Sequence, residues 1–172
     1  MILAVDVFYE QNRAKIVGLV FNQWTDATYA RKIEKYRHDI AEYEPGAFYK
    51  RELPCIMDIL ADLDLTQLKY IIVDGYVFLD DEGKSGLGAH LYEALPIKVP
   101  VIGVAKTSFA NNKKYVAEVF RGTSQKPLFI TAMGEDLIKA AAMVKSMSGD
   151  YRFPTMLKEL DNFTKSDMVI AE

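Results

Sequence analysis

Apolar and polar positions along the chain sort into short runs that predict alternating strands and helices. Residues 2–9 are apolar around one acid, Asp6, and read as a buried strand. A polar turn at 10–13 separates it from a second strand at 14–21 (AKIVGLVF), and so short a link predicts a hairpin with antiparallel pairing. Residues 28–40 stay open between two readings: Tyr29, Arg31 and Ile33 alternate as in a strand, and a helix also fits. Pro45-Gly46 punctuates the chain, and Ile56, Ile59, Leu60 and Leu63 then recur at helical spacing within 48–63. Further on come a strand at 70–73 ending at Asp74-Gly75, a loop at 79–88 rich in Asp and Gly, a helix at 87–95, and a buried strand at 99–104 followed by Ala105-Lys106. Strands at 115–120 and 127–131 and helices at 135–147 and 154–163 complete the series. A run of strands followed by strand–helix alternation predicts an α/β fold, a mixed sheet covered by helices.

The length, 172 residues, suits a single domain spanning 1–172. Half of the residues are hydrophobic, enough for a sizeable core. The formal net charge of -3 argues against a generally basic nucleic-acid binder. That argument weakens if the chain collects carboxylates around cations, because bound cations cancel part of the charge. The single cysteine, Cys55, excludes an internal disulfide framework and reads as a buried structural thiol in a reducing compartment. The N-terminal run has no basic leader and carries Asp6 in its middle, and no run reaches the roughly 18 apolar residues of a membrane span. A cytoplasmic protein without a membrane partner is expected; no pattern specifies an oligomeric state.

Three acids stand out. Asp6 interrupts an apolar strand, Asp74 ends one, and Glu52 begins a helical segment after the Pro-Gly turn. A carboxylate in such a setting is costly unless it is paired or holds a cation. Two adjacent strands would bring their acids together, and like charges so close need a divalent metal or a shared proton. Oxygen donors of this kind favour Mg²⁺ or Mn²⁺. The plainer alternatives are that Asp6 caps a turn or pairs with an arginine, and that Asp74-Gly75 is an Asx turn.

These segments, taken in order, resemble the endonuclease V family over nearly the whole chain. Ala4-Val5-Asp6-Val7 is similar to its first strand, and Tyr43-Glu44-Pro45-Gly46 followed by Arg51-Glu52 to its tyrosine-wedge motif. Val73-Asp74-Gly75 resembles the second Asp strand, and Gly86-Leu87-Gly88-Ala89-His90-Leu91 the glycine-rich loop and helix start. Ile102-Gly103-Val104-Ala105-Lys106 matches the strand ending in a lysine, and Tyr151-Arg152-Phe153-Pro154 the C-terminal motif. The resemblance implies a ribonuclease H-like fold and an Mg²⁺- or Mn²⁺-dependent endonuclease that hydrolyses a phosphodiester near a deaminated base, deoxyinosine or inosine, in DNA or RNA. Asp6 and Asp74 would hold the metal, Glu52 would complete the site and orient water, and Lys106 would neutralise charge at the phosphate. Tyr43 would wedge into the duplex, and the displaced base would sit near Gly46, Gly75, Gly86 and Leu87. Read without the family, Lys106 is a solvated strand-end lysine, Tyr43 a surface tyrosine, and the glycines turn residues.

The chain departs from the family pattern in four places. Glu42 stands where proline opens the wedge motif. The loop Asp80-Asp81-Glu82-Gly83-Lys84 replaces a His-Pro-Arg stretch and is one residue longer, which adds charge that repels phosphate. Met133-Gly134-Glu135-Asp136 occupies the place of a further His ligand, so Glu135 or Asp136 would ligate in its stead or serve as helix N-terminal acids. Asp161 stands where a C-terminal His or similar polar residue is expected. These changes keep a rival reading open: a non-catalytic module on the same fold that binds nucleic acid or protein.

Overall fold

Strands β1 (Ile2–Glu10) and β2 (Arg13–Phe21) form the expected antiparallel hairpin, with Glu10 opposite Arg13. The tight link places Gln11 at φ 56°. The computed structural model describes residues 1–45, 47–109 and 111–166. The segment left open by its sequence is strand β3 (Arg31–His38), paired antiparallel with β2. It is an edge strand with Ile33 as its only buried residue, so its hydrophobic pattern is faint.

Helix α1 (Tyr49–Leu60) buries Cys55, Ile56, Ile59 and Leu60 along one stripe. Strand β4 (Tyr70–Asp74) follows, with Asp74 as its last residue, then α2 (Leu87–Ala94) and β5 (Val101–Ala105). Strand β6 contracts to Ala117–Val119 at the other edge, and β7 runs to Met133 (Leu128–Met133). Helix α3 (Leu137–Lys145) starts two residues later than expected because Asp136 is its N-cap, accepting from the Lys139 amide at 3.0 Å. Helix α4 (Thr155–Lys165) closes the described chain.

The seven strands lie in the order β3-β2-β1-β4-β5-β7-β6. β1, β4 and β5 run parallel, and the strands outside them pair antiparallel, so the sheet is mixed as expected. One face buries Leu3, Val5, Ile71 and Val73 under α1 and α2. The other buries Ile2, Ala4, Ile72 and Val104 under α3 and α4. The result is a three-layer α/β ribonuclease H-like fold. Alternation along β1 and β4 then decides which layer Asp6 and Asp74 meet: the residues two before each, Ala4 and Ile72, belong to the α4 side.

Candidate active site

Val5 pairs with Val73 across the parallel strands β1 and β4. One further step in that register sets Asp6 beside Asp74 on the same face. Asp74 pairs in turn with Val104 of β5, and Lys106 lies two residues beyond Val104, again on that face. Asp6, Asp74 and Lys106 accordingly line one cleft of about 330 Å³ at the carboxyl ends of the parallel strands. Helix α4 closes its far side with Asp161, and Phe153 and Phe109 form apolar wall.

The electrostatics follow from crowding acids in a poorly solvated place. Burial and then the charge of Asp74 push the Asp6 carboxyl up to about 7, with Asp161 adding to the effect. Glu52, in the first turn of α1, is 8% exposed. Burial, followed by repulsion from Asp6 and Asp74, drives its carboxyl well above the usual range. Asp74 is also raised by burial; Lys106 opposes the shift and Asp161 adds to it. The four acids thus form one electrostatic unit short of positive charge.

Among the described residues, no group of three His, Cys, Asp or Glu side chains is arranged to hold a metal ion by itself. Mg²⁺ seldom asks for such a cage; one or two carboxylates, waters and substrate phosphates are its usual shell. The paired carboxylates of Asp6 and Asp74, each resisting ionisation, fit that donor chemistry.

A second cleft of about 680 Å³ opens directly beside the first, sharing Asp74, Gly75, Tyr76 and Phe109 with it. Tyr43 and Phe48 stand at its rim, with ring centroids 6.2 Å apart, and Tyr43 is 59% exposed. Gly86 and Leu87 line it from the start of α2. Gly75 adopts φ +128°, and a Cβ on Gly86 would come within 2.6 Å of the Tyr76 carbonyl, so both positions require glycine. Tyr49 also lines the cleft and stacks on His90 at 3.5 Å between centroids, which gives His90 a packing role. Gly46, expected at this pocket, lies outside the described residues.

Glu135 and Asp136 are not part of the site. β7 runs antiparallel to β5, so its end lies beside Val101, at the opposite end of the sheet from Ala105 and Lys106. Glu135 accepts from the Tyr70 hydroxyl at 2.6 Å, and Asp136 caps α3. The acid that the sequence reading left out of the site is Asp161, delivered by α4. Its signal was the substitution noted at the C-terminal polar position, next to Leu160 on the buried stripe of the helix.

Two of the acidic departures are anchored by amides of the chain, which fix their position and leave their charge in place. Asp80 accepts from its own loop amides, Glu82 and Lys84, at 3.0 Å each. Asp81 accepts from the amides of Lys113 and Lys114 at 2.6 and 2.7 Å. Glu44 pairs with Lys50 at 3.3 Å. Cys55 is buried, as expected of a structural thiol, and His38 is exposed. Among the described residues, no helix is long and apolar enough to cross a membrane.

The sequence model of the endonuclease V family matches residues 1–162. No curated protein sequence matches the chain. Among solved structures, endonuclease V of Ciona intestinalis, in complex with a DNA 24mer containing an inosine followed by a ribo-adenosine, aligns with a TM-score of 0.81 at 17% identity, covering 99% of this chain and 86% of that one. The catalytic domain of human endonuclease V aligns with a TM-score of 0.78 at 20% identity, covering 99% and 82%. Endonuclease V of Bacillus subtilis aligns with a TM-score of 0.73 at 19% identity, covering 99% and 80%.

Proposed function

The chain belongs to the endonuclease V family, and from that membership we propose that it is a divalent-metal-dependent endonuclease acting on DNA or RNA that contains a deaminated adenine. The observation that carries this reading is the placement of Asp6 beside Asp74 at the floor of a cleft that continues into an aromatic-rimmed pocket. Asp6 and Asp74 would hold Mg²⁺ or Mn²⁺, which lowers the pKa of water and stabilises charge on a phosphate. Glu52, whose carboxyl is raised first by burial and then by Asp6 and Asp74, would orient the attacking water or accept its proton. Lys106 faces the same cleft and supplies positive charge to the phosphate. Asp161 joins this set from α4, in the place of a further ligand or its positioning partner.

The neighbouring pocket has the volume for a base turned out of the helix, and Tyr43 at its rim would fill the gap left behind. A cytoplasmic location is part of the same reading and rests on the lone thiol of Cys55. The rival, a binding module without catalysis, draws its support from Glu42 and from the acids Asp80, Asp81 and Glu82. Amides of the chain position Asp80 and Asp81 without cancelling their charge, and it is the family membership that favours the enzyme over this rival.

The test is cleavage of matched oligonucleotides, with and without one inosine, as DNA and as RNA, in Mg²⁺ or Mn²⁺, with Asp74→Ala as the control. Metal-dependent cutting near inosine that the variant lacks supports the proposal. A folded wild-type protein that cuts none of these substrates moves the reading to the non-catalytic module.

A further inference from the structure

Lys106 is an exposed cation in a cleft with Asp6, Asp74 and Asp161. Simple attraction would draw its ammonium onto a carboxylate, where it would occupy the place of a bound metal. Its ammonium instead lies over the ring of Phe153, 4.1 Å from the centroid. Among the described residues it makes no ion pair with the three acids. The next residue back, Arg152, donates from Nη2 to the Lys106 carbonyl at 2.6 Å and to the Pro127 carbonyl at 2.7 Å. Arg152 is itself held, because the buried Arg121 donates to the carbonyls of Tyr151 and Arg152.

We infer that Arg152 and Phe153 are positioning residues that grip Lys106 at backbone and ammonium, holding it off the carboxylates so that the space between Asp6 and Asp74 stays available to a divalent cation. The inference rests on the metal-dependent reading above and adds a role to two residues that it leaves unused. The ring attracts the ammonium through its quadrupole without neutralising it, so Lys106 keeps its full charge for an incoming phosphate. Arg152 fixes where the side chain of Lys106 starts, and Phe153 fixes where it ends. The same strap leads through Pro154 into α4, so it also sets the position of Asp161.

The test uses Phe153→Leu, which keeps apolar bulk and removes the ring, Phe153→Tyr, which keeps the ring, and Lys106→Met on the Phe153→Leu background. Mn²⁺ binding is measured by calorimetry at neutral pH without nucleic acid. The expected result is binding weaker by about threefold to tenfold in Phe153→Leu, in line with the strength of a cation–ring contact, and restored by Phe153→Tyr and by the added Lys106→Met. A second readout is the N-methyl resonance of ¹³C-dimethylated Lys106, identified by its absence in Lys106→Arg. It should be shifted upfield by the ring in wild type and Phe153→Tyr and should lose that shift in Phe153→Leu. Equal Mn²⁺ affinity in wild type and Phe153→Leu, both folded, overturns the inference and leaves the proposed function standing. A wild-type protein that binds no Mn²⁺ overturns the metal reading and with it the purpose assigned here, while the methyl resonance still decides whether Phe153 holds Lys106.

Discussion

Asp6 and Asp74 stand side by side at the carboxyl ends of two parallel strands, one step past the Val5–Val73 pair. Their proximity makes a prediction about stability. Asp6 is raised to about 7 by burial and by Asp74. Between the ordinary carboxylate value near 4 and about 7, the folded state therefore binds more protons than the unfolded chain. Stability from this group is fully present below the unfolded value and is lost as pH rises through 7. Asp6→Asn should remove that dependence. In metal-free buffer, the variant should gain stability over wild type as pH is raised from about 5 to 8, by about 3 kcal/mol, because about two units of the shift fall inside that window. Thermal or urea unfolding in chelator checks it; a difference that stays flat with pH would show that Asp6 is not held protonated. Mn²⁺ should stabilise wild type at pH 8 and have little effect on the variant.

Burial, with the charges of Asp6 and Asp74 adding to it, raises the carboxyl of Glu52 well above the usual range. Replacing it with an isostere that is always neutral costs the fold little. Glu52→Gln should leave the unfolding midpoint within about 1 kcal/mol of wild type, the usual range for a conservative change. Single-turnover cleavage should fall by about 10²–10⁴-fold, as for loss of a general acid–base group. A large loss of stability with activity retained would reverse the assignment.

Much of this site was legible because carboxylates interrupt apolar runs at Asp6 and Asp74, where the sequence itself signals an expense that needs a reason. Glu52 stands out as an acid opening a helical segment after the Pro-Gly turn, and Lys106 only through the family resemblance, as a position within an ordered motif. What the sequence could not supply is strand direction. Glu135 and Asp136 looked like replacements for a lost ligand, but β7 enters antiparallel to β5 and carries them to the other end of the sheet. Asp161 shows in the sequence only as a substitution at a C-terminal polar position, and it forms an i,i+4 ion pair with Lys165 at 3.1 Å. Only the packing of α4 across β1 and β2 brings it to the cleft. The edge strand β3 was ambiguous for a related reason: with one buried residue, it leaves little periodicity to read.

Arg121 is a buried cation, 5% exposed, whose guanidinium donates to the carbonyls of Met147, Gly149, Tyr151 and Arg152. Its bonds gather the segment between α3 and α4 into one bend. Arg121→Met keeps the aliphatic volume and strands these carbonyls. The expected loss is about 2–4 kcal/mol, since each charged hydrogen bond of this kind contributes about 1.5–3 kcal/mol and the deserted acceptors are poorly solvated. Urea unfolding measures it; a loss below about 0.5 kcal/mol, the level of an ordinary surface change, would contradict a structural role.

Asp81 ties the long acidic loop to the next by accepting from two successive amides, Lys113 and Lys114. These bonds hold its carboxyl below the ordinary value. Asp81→Ala should speed hydrogen exchange at the Lys113 and Lys114 amides specifically, leaving amides in β1 and β4 unchanged. Exchange at those two positions that matches wild type would mean that the loop is held by other contacts, such as the Asn112 side chain on the Phe78 carbonyl at 2.7 Å.

Tyr43 offers an exposed ring at the mouth of the larger cleft, and its edge contact with Phe48 leaves most of that ring free. A ring so placed acts by stacking, for which the hydroxyl is dispensable. Tyr43→Phe should therefore bind inosine-containing oligonucleotide as wild type does, while Tyr43→Ala should bind more weakly by about 1–3 kcal/mol, the range for one base–aromatic stack. Because Tyr43 lines the second cleft and not the one holding Asp6 and Lys106, its loss should fall on KM and spare the rate of cleavage at saturation. Fluorescence of a base analogue beside the inosine separates the cases. The unstacking signal should shrink with Tyr43→Ala if the ring fills the gap left by a displaced base, and should remain if Tyr43 is an ordinary surface residue.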